Sequence, residues 1–492
     1  MATTYAPVGQ ESEKGLDRGI LVLGGVVVIG TIMAILDATI VNVAIPTLGR
    51  ELGTSIATIQ WVMTGYLLAF AAVIPLAGWT SGRFGPKRVW LASLLAFMAG
   101  SALAGSAWSV ESLIGFRVLQ GLGGGMIMPI GQAILAQAAG PQRIGRVMSV
   151  VGVPMLLGPI FGPVLGGSIV DAASWRWIFF ANLPVGLAAL LVAWRFLPAG
   201  SRRAGARLDA RGLALLSPGL AVFVYGMSEA GTAGGFGGGP ALVGLALGLA
   251  LVGLFVGHAL RRGHDALIDV SLFARRGFAA AAGTNLLVGI ALFGALILLP
   301  LYFQVVRGES PLATGLLLVP QGLGAALAMP VAGRVTDEVG ARIVIPIGIV
   351  LALVGTAAYT QVGADTSYIL LAAALFAIGL GLGSTIVPSM AVAYQSVARE
   401  AVPQATSAIN AIQRVAASVG TALLAVALQR SIAANVPGLE GGSALGGLSE
   451  AARTQAAAGL ADAFGTTFWL AFALVAAALV PALLLPAASR QR

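Results

Sequence analysis

Two charged side chains stand inside long apolar runs where reversible protonation is the natural chemistry. Asp37 lies within residues 21–48, and Arg117 opens the run Arg117-Val118-Leu119-Gln120-Gly121-Leu122-Gly123-Gly124-Gly125. No other acid falls in the middle of an apolar run. An ionised group in hydrocarbon costs about 2.5–3.5 kcal/mol on insertion scales, so it persists where it faces a cavity or a partner. At a rise of about 1.5 Å per helical residue, Asp37 and Arg117 lie about 15 Å and about 10 Å below the same ends of their runs, depths that suit one shared polar site. Burial disfavours the charged form of a carboxylate and a nearby cation favours it. A carboxylate held between those influences can load and release a proton. The plainer reading, in which Asp37 fixes helix packing and Arg117 binds backbone carbonyls, stays open at this point.

The elements that carry these residues must be membrane spans. Of 492 residues, 58% are hydrophobic and 10% charged, whereas a soluble domain needs about 25% charged residues. There is no cysteine, and the two histidines, His258 and His264, have no ligand cluster around them, so no metal or other cofactor is expected. Both histidines read as solvated loop residues. The net charge of +9 is spread as single and paired arginines between apolar runs, with no stripe fit for nucleic acid. Lysine occurs only at Lys14 and Lys87 against 26 arginines, and with the abundant Ala and Gly this points to a GC-rich bacterial gene. No nucleophile–base pair or nucleotide loop is present, and Gly121–Gly125 follows no strand, so an enzyme is not expected.

Runs near the 20 residues needed to cross a bilayer fall at 19–47, 57–80, 89–107, 111–138, 147–170, 177–197, 210–229, 240–260, 277–305, 311–332, 343–361, 367–392, 402–428 and 465–487. The expected fold is therefore an all-α polytopic membrane protein of fourteen helices. If the amino terminus is inside, 21 Lys and Arg fall on inner segments and five on outer ones. Both termini are then cytoplasmic, 1–18 and 488–492. The stretch 430–463, rich in Gly, Ser and Ala, reads as a mobile outer loop, and the Gly-rich link 231–239 as flexible.

An internal repeat organises the chain. Gly78-Trp79-Thr80-Ser81-Gly82-Arg83-Phe84-Gly85-Pro86-Lys87-Arg88 follows span two, and Gly333-Arg334-Val335-Thr336-Asp337-Glu338-Val339-Gly340-Ala341-Arg342 follows span ten. Both resemble the major facilitator loop motif G-x-L-a-D-R-x-G-R. Leu36-Asp37-Ala38-Thr39-Ile40-Val41-Asn42-Val43-Ala44-Ile45-Pro46 resembles the first-helix signature of that superfamily's fourteen-helix drug:proton antiporters. Gly158-Pro159-Ile160-Phe161-Gly162-Pro163-Val164-Leu165-Gly166-Gly167 looks like their antiporter motif, and the R-x-x-x-G pattern at Arg117 like their fourth-helix motif. Trp175–Gly186, Leu267–Phe273, Leu299–Gln304 and Gln413-Arg414 are further matches, so the resemblance covers nearly the whole chain. One departure is Gly82, where the usual loop aspartate is missing from the first copy.

The resemblance implies two six-helix bundles, 19–197 and 263–487, joined by a linker, 198–262, that carries two extra spans. It implies proton-coupled export of hydrophobic drugs or antibiotics from a bacterial cytoplasmic membrane, with Asp37 binding the proton and Arg117 tuning it. Gly78, Arg83, Gly85, Lys87 and Arg88, with Gly333, Asp337, Gly340 and Arg342, would gate the inner face, and span five would form a seal. Polar residues spaced along the spans, Asn42, Gln60, Trp61, Tyr66, Gln120, Asn285, Gln321, Asn410, Gln413 and Arg414, suggest a mostly apolar substrate cavity with sparse anchors. The expected partners are a hydrophobic small molecule, protons and membrane lipid, the protein acting as a monomer. A dedicated exporter of a native metabolite on the same fold is the competing reading; a channel would need non-saturable flux.

Overall fold

The computed structural model describes residues 18–140, 143–200, 207–232, 235–436 and 450–486. Every regular element among them is a helix. The first half contains α1 (Arg18–Glu51), α2 (Ile56–Ile59), α3 (Trp61–Val73), α4 (Leu76–Phe84), α5 (Pro86–Gly105), α6 (Val110–Ala139), α7 (Ile144–Ala172), α8 (Arg176–Phe180) and α9 (Asn182–Phe196). The pair α10 (Ala210–Thr232) and α11 (Gly239–Arg262) follows. The second half contains α12 (Arg276–Leu301), α13 (Pro311–Val339), α14 (Ala341–Thr360), α15 (Tyr368–Gln395), α16 (Val402–Asn435), α17 (Glu450–Ala477) and α18 (Leu479–Leu483). Among the described residues, twelve helical stretches are long and apolar enough to span a membrane, and α3 with α4, bent by 56°, makes a thirteenth. The 29-residue α7 completes the fourteen segments. The bend between α3 and α4 falls at Ile74-Pro75, where proline cannot supply the next backbone donor.

The repeat read from the sequence is physically present. Gly85 closes α4 at φ 90°, ψ 140°, and Gly340 closes α13 at φ 91°, ψ 149°. A 20-residue helix follows each turn. That region of backbone space is open only to glycine at low cost, which explains the residue at both turns.

The two halves meet near these turns, at what we call the motif end. α7 lies against α13 and α15, and α16 against α4 and α6. α10 packs on α11 and also contacts both α3 and α16, so it runs along the seam between the halves.

Three expectations need correction. The stretch 430–463 is largely helical, because α16 continues to Asn435 and α17 begins at Glu450, leaving only 437–449 outside the described residues. Alanine is the strongest helix former, and in this stretch it outweighs the scattered glycines. The Gly-rich link is shorter than expected, since α10 runs to Thr232 and α11 starts at Gly239; Ala233 and Gly234 lie outside the described residues. His258 is a half-buried residue of α11 paired with Asp209, whereas His264 lies exposed between α11 and α12 as expected and reaches Asp269 at 2.5 Å.

Candidate functional site

Asp37 on α1 and Arg117 on α6 meet in the interior, as their depths required. Arg117 Nη1 donates to Asp37 Oδ2 at 2.5 Å and to Gln120 Oε1 at 2.7 Å, and its Nε donates to the Val62 carbonyl at 3.3 Å. Gln120 Nε2 and Asn182 Nδ2 both donate to Asp37 Oδ1 at 2.8 Å. Asn182 also reaches Ser101 Oγ at 3.0 Å, and that hydroxyl donates to the Phe179 carbonyl at 2.8 Å. The side chains of Asp37 and Arg117 are both 0% exposed. The guanidinium stacks 4.1 Å over the Tyr66 ring, whose hydroxyl donates to the Ala34 carbonyl at 3.3 Å. Two helices, α6 and α9, thus donate directly to one acid on α1, and Arg117 Nη2 is left buried without a hydrogen-bond partner. Three of the roughly four lone-pair directions of this carboxylate accept hydrogen bonds, two at Oδ1 and one at Oδ2.

Packing against α1 sets the height of Asp37. A Cβ added to Gly166 of α7 would lie 2.9 Å from the Ile40 carbonyl, and one at Gly162 would strike Thr39. α7 therefore presses its glycines against the turn of α1 that follows Asp37. Gly167 is half-buried. The surroundings of Gly158 and the side chains of Pro159 and Pro163 lie outside the described residues.

The loop motifs stand at the motif end and brace each half against the other. A Cβ at Gly78 would meet the Pro403 carbonyl at 3.1 Å and Ser407 Oγ at 3.2 Å on α16, and one at Gly333 would meet the Gly145 carbonyl at 2.7 Å on α7. Asp337 Oδ1 accepts from the Gly145 amide at 3.3 Å, and Oδ2 pairs with Arg146 Nε at 3.3 Å, at the amino-terminal turn of α7. The helix dipole favours an anion there. Around Gly82 nothing lies within 4 Å of an added Cβ, so the missing aspartate has no steric cause. Arg399 Nη2 donates to the Gln137 carbonyl at 2.9 Å and adds a further tie between the halves. Lys87 Nζ donates to the Trp194 carbonyl at 2.6 Å, while Arg83, Arg88 and Arg342 are exposed.

The expected cavity residues divide. Tyr66 and Gln120 belong to the Asp37 cluster. Asn285 and Gln413 line one pocket with Gly152, Gly289, Leu292, Phe293, Leu296, Met329 and Ile386. Asn410 bridges the halves by donating to Gln132 Oε1 at 2.7 Å, where Tyr394 also donates at 3.3 Å. Gln321 is buried on α13, and Arg414 lies over the Phe70 ring at 4.2 Å. Asn42, Gln60 and Trp61 are exposed, and Trp61 stacks on Tyr225 of α10 at 5.9 Å.

Sequence reasoning passed over Asn182, Gln132 and Asp209. Asn182 falls within Trp175–Gly186, a stretch noted for its resemblance alone; a lone amide inside an apolar span is the available signal. Asp209, three residues before Gly212 at the start of an apolar run, carried a helix-start signal. Its carboxylate accepts from the amides of Gly212 at 3.0 Å and Leu267 at 3.1 Å and pairs with His258 at 2.9 Å, tying together α10, α11 and the approach to α12. Burial alone would raise its pKa, but the hydrogen bonds from His258, Gly212 and Leu267 outweigh burial and hold the carboxyl below its usual range. A group held low in the fold contributes stability above its unfolded pKa of about 3.9 and loses it as pH falls through the folded value. The junction should therefore stay closed at neutral pH and loosen below about pH 4. Amide exchange at Gly212 and Leu267 across that window checks this, and Asp209→Asn should flatten the acid limb at a cost of about 1–3 kcal/mol.

Residues 27–421 match the family model described as Major Facilitator Superfamily. The chain belongs to the major facilitator superfamily. As a major facilitator protein it is a multi-pass membrane transporter, and the expectation of a transporter in place of an enzyme holds. It is 41% identical over 490 residues to the "Multidrug resistance protein B homolog" of Mycobacterium tuberculosis, covering 96% of this chain and 91% of that protein. It is 32% identical over 414 residues to the "Probable actinorhodin transporter" of Streptomyces coelicolor, covering 81% and 71%. Among solved structures, the human transporter MFSD10 superposes with a TM-score of 0.59 at 17% identity, over 93% of this chain and all of that one, a likeness of major facilitator fold alone.

Proposed function

We propose that this protein exports hydrophobic drugs or antibiotics across a bacterial cytoplasmic membrane in exchange for protons, by alternating access. The observation that carries the reading is the buried Asp37–Arg117 pair with its Gln120 and Asn182 donors. Protonation of Asp37 removes the charge that holds Arg117, so the two states of the acid present different cluster geometries to the cavity. That difference is what couples a proton to the rocking of the halves. The similarity to multidrug resistance proteins supports export as the direction.

With 21 Lys and Arg against five on the two sides, the motif end is the cytoplasmic face. The braces at Gly78, Gly333 and Asp337 then close that face. Asp337→Asn should shift the balance from this closed state by about 1–2 kcal/mol, roughly five- to thirtyfold in population. Because the chain has no cysteine, spin labels on Arg88→Cys and Arg342→Cys report this as a longer distance across the motif end. An unchanged distance distribution would remove Asp337 from the gate.

One mid-span acid implies about one proton per cycle and weak handling of dications, each charge moved gaining about 2.3 kcal/mol per 100 mV. The test is substrate-driven proton release from the purified protein, with cationic, neutral and anionic antibiotics. Release that saturates with one class establishes antiport and names the class. Saturable transport indifferent to the pH gradient would make the protein a facilitator. The likeness to the Streptomyces coelicolor protein favours, as a second reading, a dedicated exporter of a self-made antibiotic. A narrow substrate range in the same assay distinguishes it.

A further inference from the structure

Arg414 is a second interior cation, and the cluster around Asp37 does not account for it. It sits on α16 and faces α3 across the seam, with its guanidinium 4.2 Å over the Phe70 ring. Its Nε is buried with no hydrogen-bond partner. Among the described residues Arg414 enters no ion pair, and Asp37, the acid nearest in depth, is already held by Arg117. Phe70 follows Tyr66 by one helical turn, the two rings 5.9 Å apart, so the aromatic face of α3 carries Arg117 at one ring and Arg414 at the next. Arg414 is half-buried. Phe70 covers one face of its guanidinium, and the enclosed Nε is left without an acceptor, which is costly.

We propose that Arg414 receives an anionic group of the substrate, so that the transported compounds are amphipathic anions such as carboxylates or sulfonates. This rests on the export reading above and specifies its substrate class. Bulky cations are disfavoured, since the only acid of the cluster is neutralised by Arg117 while Arg414 repels them. The apolar body has a seat beside Arg414's chain neighbour: Gln413 lines the pocket formed by Leu292, Phe293 and Met329. Charge accounting is consistent with the cycle. With Asp37 ionised, its carboxylate and the two guanidiniums sum to one positive charge, and a bound monoanion makes the site neutral for the outward leg. With Asp37 protonated and the substrate gone, the site carries two positive charges on the inward leg. One monoanion leaving for one proton entering therefore moves two charges per cycle, and an inside-negative potential drives it.

The test uses three probes of similar size with the full-length protein: 8-anilinonaphthalene-1-sulfonate as the anion, N-phenyl-1-naphthylamine as the neutral compound and tetraphenylphosphonium as the cation. Wild type is expected to bind the sulfonate at least about tenfold more tightly than the cation, and to transport it faster when an inside-negative potential is imposed without a pH gradient. Arg414→Gln should lower the ratio of sulfonate to neutral-probe affinity by about tenfold, and Arg414→Lys, which keeps the charge, by less. Thermal unfolding of each variant separates this from misfolding. Equal loss of all probes in Arg414→Gln, with a lowered melting point, would make Arg414 a structural tie to Phe70 and overturn the proposal. Preference of wild type for the cation would overturn it too. Neutral-probe transport driven by the pH gradient, without a sulfonate preference, would sink the anion assignment while sparing antiport. Failure of every probe to respond to the pH gradient would sink antiport itself.

Discussion

Asp37→Asn should leave a folded protein that still exchanges substrate across the membrane but no longer concentrates it. Asparagine keeps the size of the side chain and one acceptor for Gln120 or Asn182, while the titratable group is gone. The variant can rock between states with substrate bound, so counterflow from a preloaded vesicle persists. Uphill export loses its link to the proton. At 100 mV, one uncoupled charge forfeits about 2.3 kcal/mol, roughly a fiftyfold drop in the concentration ratio the transporter can hold. Measuring both counterflow and gradient-driven accumulation checks this. Accumulation that survives in Asp37→Asn would make the acid a packing residue.

Loss of Arg117 should be the most destabilising single change in the interior. Removing one partner of a buried ion pair leaves the other charge uncompensated and costs about 3–5 kcal/mol, whereas replacing both partners is far less harmful. Arg117→Gln is therefore expected to lower thermal stability in detergent sharply. Combining it with Asp37→Asn should restore part of the loss, a coupling that a double-mutant cycle reads directly. Arg117→Lys should fall between, because an ammonium cannot serve Asp37, Gln120 and the Val62 carbonyl from the positions of Nη1 and Nε. Additive losses would show that the 2.5 Å contact contributes no coupling energy.

Much of this molecule was legible before its fold was known, for reasons that differ from residue to residue. Apolar run length is a direct consequence of bilayer thickness, so the segments could be counted. Asp37 and Arg117 announced themselves because isolated charges in such runs are costly, and their depths could be compared by counting helical rises. The loop repeat survived as matched turns at Gly85 and Gly340 because a left-handed backbone admits few residue types. What could not be read was which helix faces which. Asn182 reaches Asp37 from 145 positions away, and Asn410 reaches Gln132 from 278. Nothing in the local pattern around an amide distinguishes a partner on a distant helix from its own backbone. Trp61 shows the converse: its place beside Gln60 suggested a cavity, while its ring meets Tyr225 on a helix outside the two bundles.

The position of α10 has a mechanical result. Because it touches both α3 and α16, one flank of the seam carries a third helix spanning the gap like a rail. On the α7 flank, where that helix meets α13 and α15, no such third element is found among the described residues. Under the proposed rocking, the two flanks could not part alike. A compound approaching the seam from the lipid leaflet would meet a fenced side and an unfenced one, even though the two halves carry the same loop repeat.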